Sequence, residues 1–157
     1  MLMRCVFGER TQLLLCADLL ESSTLVKLQE MIAMSGCGGC DLVYSDPPWN
    51  PGNEKYWRQH AEKSEPKQYD AFLNAWCDAV QICINRGAED IFCEQSNNPK
   101  HREMLLEVVK QKNWRIPLLE DWVVFYGTPS SVSCSTPNRL LHFGKEKIDT
   151  NPSGMIG

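Results

Sequence analysis

Four consecutive residues, Asp46-Pro47-Pro48-Trp49, combine a carboxylic acid, two rigid turn formers and an indole. At average residue usage this tetrapeptide turns up in roughly 2 of 10,000 chains of this length, so its position in the fold matters. The apolar run Leu42-Val43-Tyr44-Ser45 precedes it and reads as a strand, stopped by prolines that cannot donate a ladder hydrogen bond. In open α/β sheets ligands sit beyond the carboxyl ends of strands. Asp46 is placed there, with the prolines fixing the turn. The same residues also suit a stiff strand-ending turn with Trp49 packed on the core.

Other reactive residue types are scattered. Cys37 and Cys40 form one Cys-x-x-Cys within a glycine-rich stretch. A zinc site needs about four ligands, and Cys134 and His60 do not form a second tight pair, so no metal site is expected. Cys5, Cys16, Cys77, Cys83 and Cys93 lie among apolar neighbours and read as small hydrophobes. His60, His101 and His142 lack metal-ligand spacing. Ser130, Ser131 and Ser133 have no legible acid and base partners. Residues 53–67 mix Lys55, Arg58, His60, Lys63 and Lys67 with Glu54, Glu62 and Glu65, a pattern that also fits a solvated face. Lys100, His101, Arg102, Lys110, Lys112 and Arg115 read as an ordinary helix surface.

The positioning elements follow from periodicity. Leu13 to Ala17 reads as a buried strand ended by Asp18. Ser22 and Ser23 offer an N-cap to a helix over 23–34, broken by Ser35-Gly36. With the strand at 42–45, this order predicts a crossover unit with parallel strands. Tyr69, Phe72, Leu73, Trp76, Val80, Cys83 and Ile84 mark one face of a helix near 67–85. Ile91-Phe92-Cys93 is a further strand with Glu94 at its end. Asn98-Pro99 is a cap and first-turn pair for a helix to about 112. Strands follow at 122–126 and 140–143, expected to pair antiparallel across a long loop at 127–138.

Composition narrows the class. The chain has 157 residues, 43% hydrophobic and 23% charged, with 16 basic against 20 acidic residues. That fits one soluble α/β domain. Met1 to Cys5 is too short and polar for a signal peptide, and no apolar stretch reaches a membrane span. With no disulfide framework in view, a cytoplasmic location is expected. The net charge of −4 weighs against gripping a long phosphate backbone unaided.

Asp46-Pro47-Pro48-Trp49 resembles the catalytic motif of the S-adenosylmethionine-dependent amino-group methyltransferases, which mostly act on adenine N6 in DNA, with relatives acting on cytosine N4 or on RNA. The resemblance extends upstream through Cys16-Ala17-Asp18, where Ala17 replaces the usual glycine, and Asp41 to Asp46. Downstream it runs through the later helices and the closing strand pair, covering about 130 residues, mostly by layout. It implies an N6-adenine methyltransferase on a Rossmann-like, three-layer sheet, partly parallel with a C-terminal antiparallel strand pair. Asp46, Pro47, Pro48 and Trp49 would be catalytic. Asp18 and Asp46 would meet the S-adenosylmethionine cofactor. Trp49, Asn50, Lys55, Tyr56 and Arg58 would meet substrate. Asp18 serves equally as a helix-start residue.

The family's glycine-rich Asp-Pro-Phe-x-Gly-x-Gly cofactor loop has no good match here. In the permuted order of such enzymes the catalytic half comes first and the cofactor half last. Residues 1–148 therefore read as a methyltransferase-like catalytic domain, incomplete as a sheet, and 149–157 as a tail leading toward a cofactor-binding portion. DNA is the expected partner, with RNA as the other nucleic acid. A second copy or a second chain would complete the sheet. The alternative is a catalytically silent nucleic-acid or nucleotide-binding module, or the partner subunit of a split methyltransferase.

Overall fold

The computed structural model describes residues 2–7, 10–36, 39–47, 69–124 and 138–146. It opens on a hairpin. β1 (Leu2–Phe7) pairs antiparallel with β2 (Arg10–Leu15), from Leu2 opposite Leu15 to Phe7 opposite Arg10. The strand expected over 13–17 thus lies earlier. The expected parallel crossover from it to residues 42–45 does not form, because β1 and β2 make a two-stranded sheet of their own. Strands adjacent in sequence pair at small loop-closure cost, whereas parallel pairing requires a long crossover.

α1 (Ser22–Met34) follows, but neither serine caps it. Glu21 holds the N-cap position without a side-chain bond. The Thr24 hydroxyl donates to the Asp18 carbonyl, and Leu20 N donates to Asp18 Oδ1 at 2.9 Å. Ile32 is buried, while Val26 and Met34 on other faces are exposed. Gly36 ends the helix at φ 74°, a conformation that glycine adopts without strain.

The main sheet is four-stranded and mixed. β3 (Leu42–Ser45) runs parallel to β4 (Asp90–Ser96), joined by a connection that contains α2 (Tyr69–Asn85). After α3 (Pro99–Gln111), β5 (Leu118–Val124) and β6 (Asn138–Phe143) pair antiparallel as expected. β6 also pairs antiparallel with β4, so the order is β3-β4-β6-β5. Asn98 caps α3 as its sequence promised, its Oδ1 accepting from Lys100 N at 3.0 Å with Pro99 in the first turn.

The core lies on one side of this sheet. Leu73, Cys77, Val80 and Ile84 of α2 and Leu105, Val108 and Val109 of α3 pack against Ile91, Cys93, Leu141 and Phe143. Each fully buried aliphatic or phenyl side chain contributes about 1.5–3 kcal/mol by leaving water. Trp114 joins this core, edge-on to Phe143 at 5.3 Å. The described residues therefore form a helix layer on a sheet layer, and the third layer expected is not among them. Cys77 and Cys93 are buried as expected, but Cys16 is exposed because it follows the hairpin and lies outside the core. No helix among the described residues is long and apolar enough to cross a membrane.

Candidate functional site

β3 is anchored at both ends, by the residues just before it and by its last residue, Ser45. Below it, Cys40 N donates to the Arg86 carbonyl at 3.0 Å, and Gly39 lies so close to that carbonyl that a Cβ would collide with it. Above it, the Trp76 indole of α2 donates to Ser45 Oγ at 2.7 Å. Ser45 is thereby pinned, and the next residue, Asp46, emerges exposed with Pro47 buried behind it. The prolines stop the strand at this point, so the carboxylate is presented by a held strand end.

β4 supplies the neighbouring groups. Cys93 is the register partner of Ser45, and Glu94 and Gln95 extend past it. Burial pushes the Cys93 thiol up from its ordinary range. A side-chain hydrogen bond from Gln95 opposes that rise, and the Cys77 and Asp46 charges add to it. The phenol of Tyr69, at the start of α2, is likewise pushed up, chiefly by burial and then by Cys93 and Asp70. These influences place Asp46, Cys93, Gln95 and Tyr69 at one end of the sheet. Gln95 is fully buried, and apart from its contact with the Cys93 thiol its amide has no hydrogen-bond partner among the described residues. A buried amide left unpaired costs about 1–3 kcal/mol, which native folds rarely tolerate.

Beyond β4, at the same end, Asn97, Asn98, Pro99, Arg102 and Arg139 line a shallow cleft. Arg139 donates to Asn97 Oδ1 at 2.9 Å and to Asp121 Oδ1 at 3.2 Å, while Arg102 pairs with the other oxygen of Asp121. Two guanidiniums thus share one carboxylate at the first turn of α3.

Of the residues singled out from sequence, Asp46 and Pro47 stand at the strand end as expected. Pro48, Trp49, Asn50, Lys55, Tyr56 and Arg58 lie outside the described residues, as do Cys37, His60, Cys134 and the 127–137 serines. Asp18 is exposed beyond the end of β2, a strand that is not a neighbour of β3, and it organises the turn into α1. Lys112 and Arg115 tie α3 and its following turn to α2, Lys112 through Asp78 at 2.7 Å and Arg115 through the Ile84 carbonyl. Gln95 and Arg139 escaped the sequence reading. The signal available was polar residues continuing a strand past Cys93, where an apolar run gives no reason to end. Among the described residues no group of three or more His, Cys, Asp or Glu is arranged to hold a metal ion. Comparison with models of known protein families and with curated proteins finds no match.

Proposed function

We propose that this chain is the catalytic portion of an S-adenosylmethionine-dependent methyltransferase that acts on the N6 amine of adenine in DNA, built on a Rossmann-like, three-layer sheet. The observation that carries the reading is Asp46, an exposed carboxylate at the carboxyl end of a parallel strand, followed by a buried proline. The amine nitrogen of adenine is a poor nucleophile because its lone pair is delocalised into the ring. The Asp46 side chain accepts one N–H, and the Pro47 carbonyl accepts the other. Both acceptors are fixed before the substrate arrives, and together they favour a more tetrahedral nitrogen. Trp49 stacks on the base, a contact worth about 1–3 kcal/mol. A target inside duplex DNA is flipped out of the stack first. The cleft at Arg102 and Arg139, with its surplus of guanidinium over carboxylate, suits a flanking phosphate.

The donor set fits the cofactor in one respect. S-adenosylmethionine supplies a methyl group on a sulfonium cation, and the Asp46 carboxylate is the anion suited to lie beside that charge. No glycine among the described residues stands beside Asp46 to cradle the rest of the cofactor: Gly36 ends α1, Gly39 and Gly87 pack near the C-terminus of α2, and Gly144 lies against His142. Asp18, engaged with Leu20 N, favours a second reading, a nucleotide-binding module or partner subunit without transferase activity.

The test is labelled methyl transfer to DNA, RNA and free nucleotides by the native chain and by Asp46→Ala. Loss of one fixed acceptor costs about 3–4 kcal/mol, or a rate fall of roughly 10²–10³. DNA labelled by the native chain and not by the variant supports the reading. Equal product from both removes Asp46 from the mechanism, and base binding without product from either favours the silent module.

A further inference from the structure

The cleft at the start of α3 holds more guanidinium than its carboxylate can satisfy. Arg102 and Arg139 line it together with Asn97, Asn98 and Pro99. Both guanidiniums reach for Asp121: Arg102 Nη1 pairs with Oδ2, and Arg139 Nη1 donates to Oδ1 at 3.2 Å. Arg139 Nε donates to Asn97 Oδ1 at 2.9 Å. One carboxylate answers two cations, so one positive charge is left over, and Asp121 holds both guanidiniums in place.

The unfilled donor is specific. Arg102 uses Nη1 on Asp121, while its Nε is buried and has no partner among the described residues. With Nε unfilled, the Nε–Nη2 edge of Arg102 is not already holding an oxyanion, and that edge is one of those on which a guanidinium grips phosphate bidentately. A buried donor without an acceptor is costly and rare in native folds. The backbone does not serve in its place. Pro99 has no N–H, Lys100 N donates to Asn98 Oδ1 at 3.0 Å, and the His101 and Arg102 amides donate to the Asn98 carbonyl. An anion here is read by side chains, with the positive end of the α3 dipole behind them.

Position tells which anion. Gln95 of β4 lies opposite Arg139 of β6, and Cys93 of β4 lies beside Ser45 of β3. β4 alone therefore separates the strand end at Asp46 from Arg139, about 10 Å at two strand spacings. That is the scale of one nucleotide, from the amine of its base to its phosphate. We infer that the cleft binds the DNA phosphodiester attached to the nucleotide whose base is held at Asp46. Arg102 grips it through the Nε–Nη2 edge and Arg139 adds its charge. The inference rests on the reading of Asp46 as the base site, and it gives a chain of net charge −4 a local grip on the DNA backbone.

The full chain is titrated, by fluorescence anisotropy, with a labelled single-stranded DNA that carries one adenine among thymines. Comparison strands bear an uncharged methylphosphonate on the 5′ side of that adenine, on its 3′ side, or at a remote linkage. The expected result is that one of the two adjacent replacements weakens binding about tenfold and the remote one does not. Arg102→Gln and Arg139→Gln, each checked for folding by circular dichroism, should weaken the unmodified strand and lose that difference. Each should also lower the slope of log affinity against log salt by about 0.7. Equal affinity of the native chain for all strands overturns the proposal, as does binding of none of them. A methylphosphonate effect that persists in both variants, or equal binding of a polyglutamate peptide, also overturns it. Methyl transfer on the same strands separates this site from the reading it rests on. A local charge effect without transfer supports the cleft and counts against the transferase, whereas transfer without a charge effect overturns the cleft alone.

Discussion

Replacing Gln95 by Met should make the protein more stable. Gln95 is fully buried at the carboxyl end of β4, and apart from its contact with the weakly accepting Cys93 thiol its amide lacks a partner among the described residues. Met has nearly the same length and volume, so Gln95→Met leaves packing almost unchanged while removing the unpaired amide. A buried amide without hydrogen bonds costs about 1–3 kcal/mol in proteins, so the variant should gain about that much. In a domain of this size each kcal/mol moves the melting temperature by about 2–4 °C. The measurement is urea unfolding followed by tryptophan fluorescence, with the midpoint expected to rise at unchanged slope. Gln95→Glu supplies the opposite sign, since it buries a charge at the same position and should lower the midpoint sharply. A midpoint for Gln95→Met equal to or below that of the native chain would refute the reasoning, because it would mean that the amide is satisfied in solution.

Three further outcomes follow from the packing. Leu105→Ala, which truncates a fully buried side chain, should cost about 2–5 kcal/mol in the same unfolding experiment. Asn98→Ala should cost about 1 kcal/mol because its side chain caps α3, whereas Glu21→Ala, at a cap without a side-chain bond, should change stability little; equal losses would contradict the assignment. Burial pushes the Cys77 and Cys83 thiols up to about 12, against an ordinary value of 9.0. The folded chain therefore keeps protons that the unfolded chain sheds, so stability is intact below about pH 9 and falls as pH rises toward 12. Urea midpoints measured on either side of pH 9 check the sign, and a flat profile would show that these thiols are not protected by the fold.

Much of the architecture was legible because helices and strands bury different periods. The 3.6-residue spacing of Leu73, Trp76, Val80 and Ile84 identifies α2, and Asn98-Pro99 marks where α3 starts, since both signals act within a few residues. β1 was missed: it lies within a mixed run of polar and apolar residues, and its pairing with β2 is not written in its own residues. Strand order is not local at all. Nothing in Leu140-Leu141-His142-Phe143 says that this strand inserts between β4 and β5, or that Leu141 and Phe143 on it face the helix layer. The site was half legible. Asp46 announced itself by its prolines, but Asp18 reads identically as a ligand and as a turn former, and its bonds to Leu20 and Thr24 are visible only in three dimensions. Gln95 continues a strand already recognised, and its lack of partners is a three-dimensional fact.

The insertion of β6 between β4 and β5 has a consequence for how the molecule is assembled. During synthesis β3, β4 and β5 are all made before the strand that joins them, so β5 has no ladder partner in this sheet and β4 keeps one side unpaired. Pairing across a third of the chain, from residue 91 to residue 143, is slow because a long loop must close first. Until then the nascent chain carries an exposed strand edge of Ile91, Phe92 and Cys93, an attractive template for mispairing. A truncation that removes β6 should therefore cost the cell soluble protein, since its loss disconnects two halves of one sheet and does not merely shorten an edge.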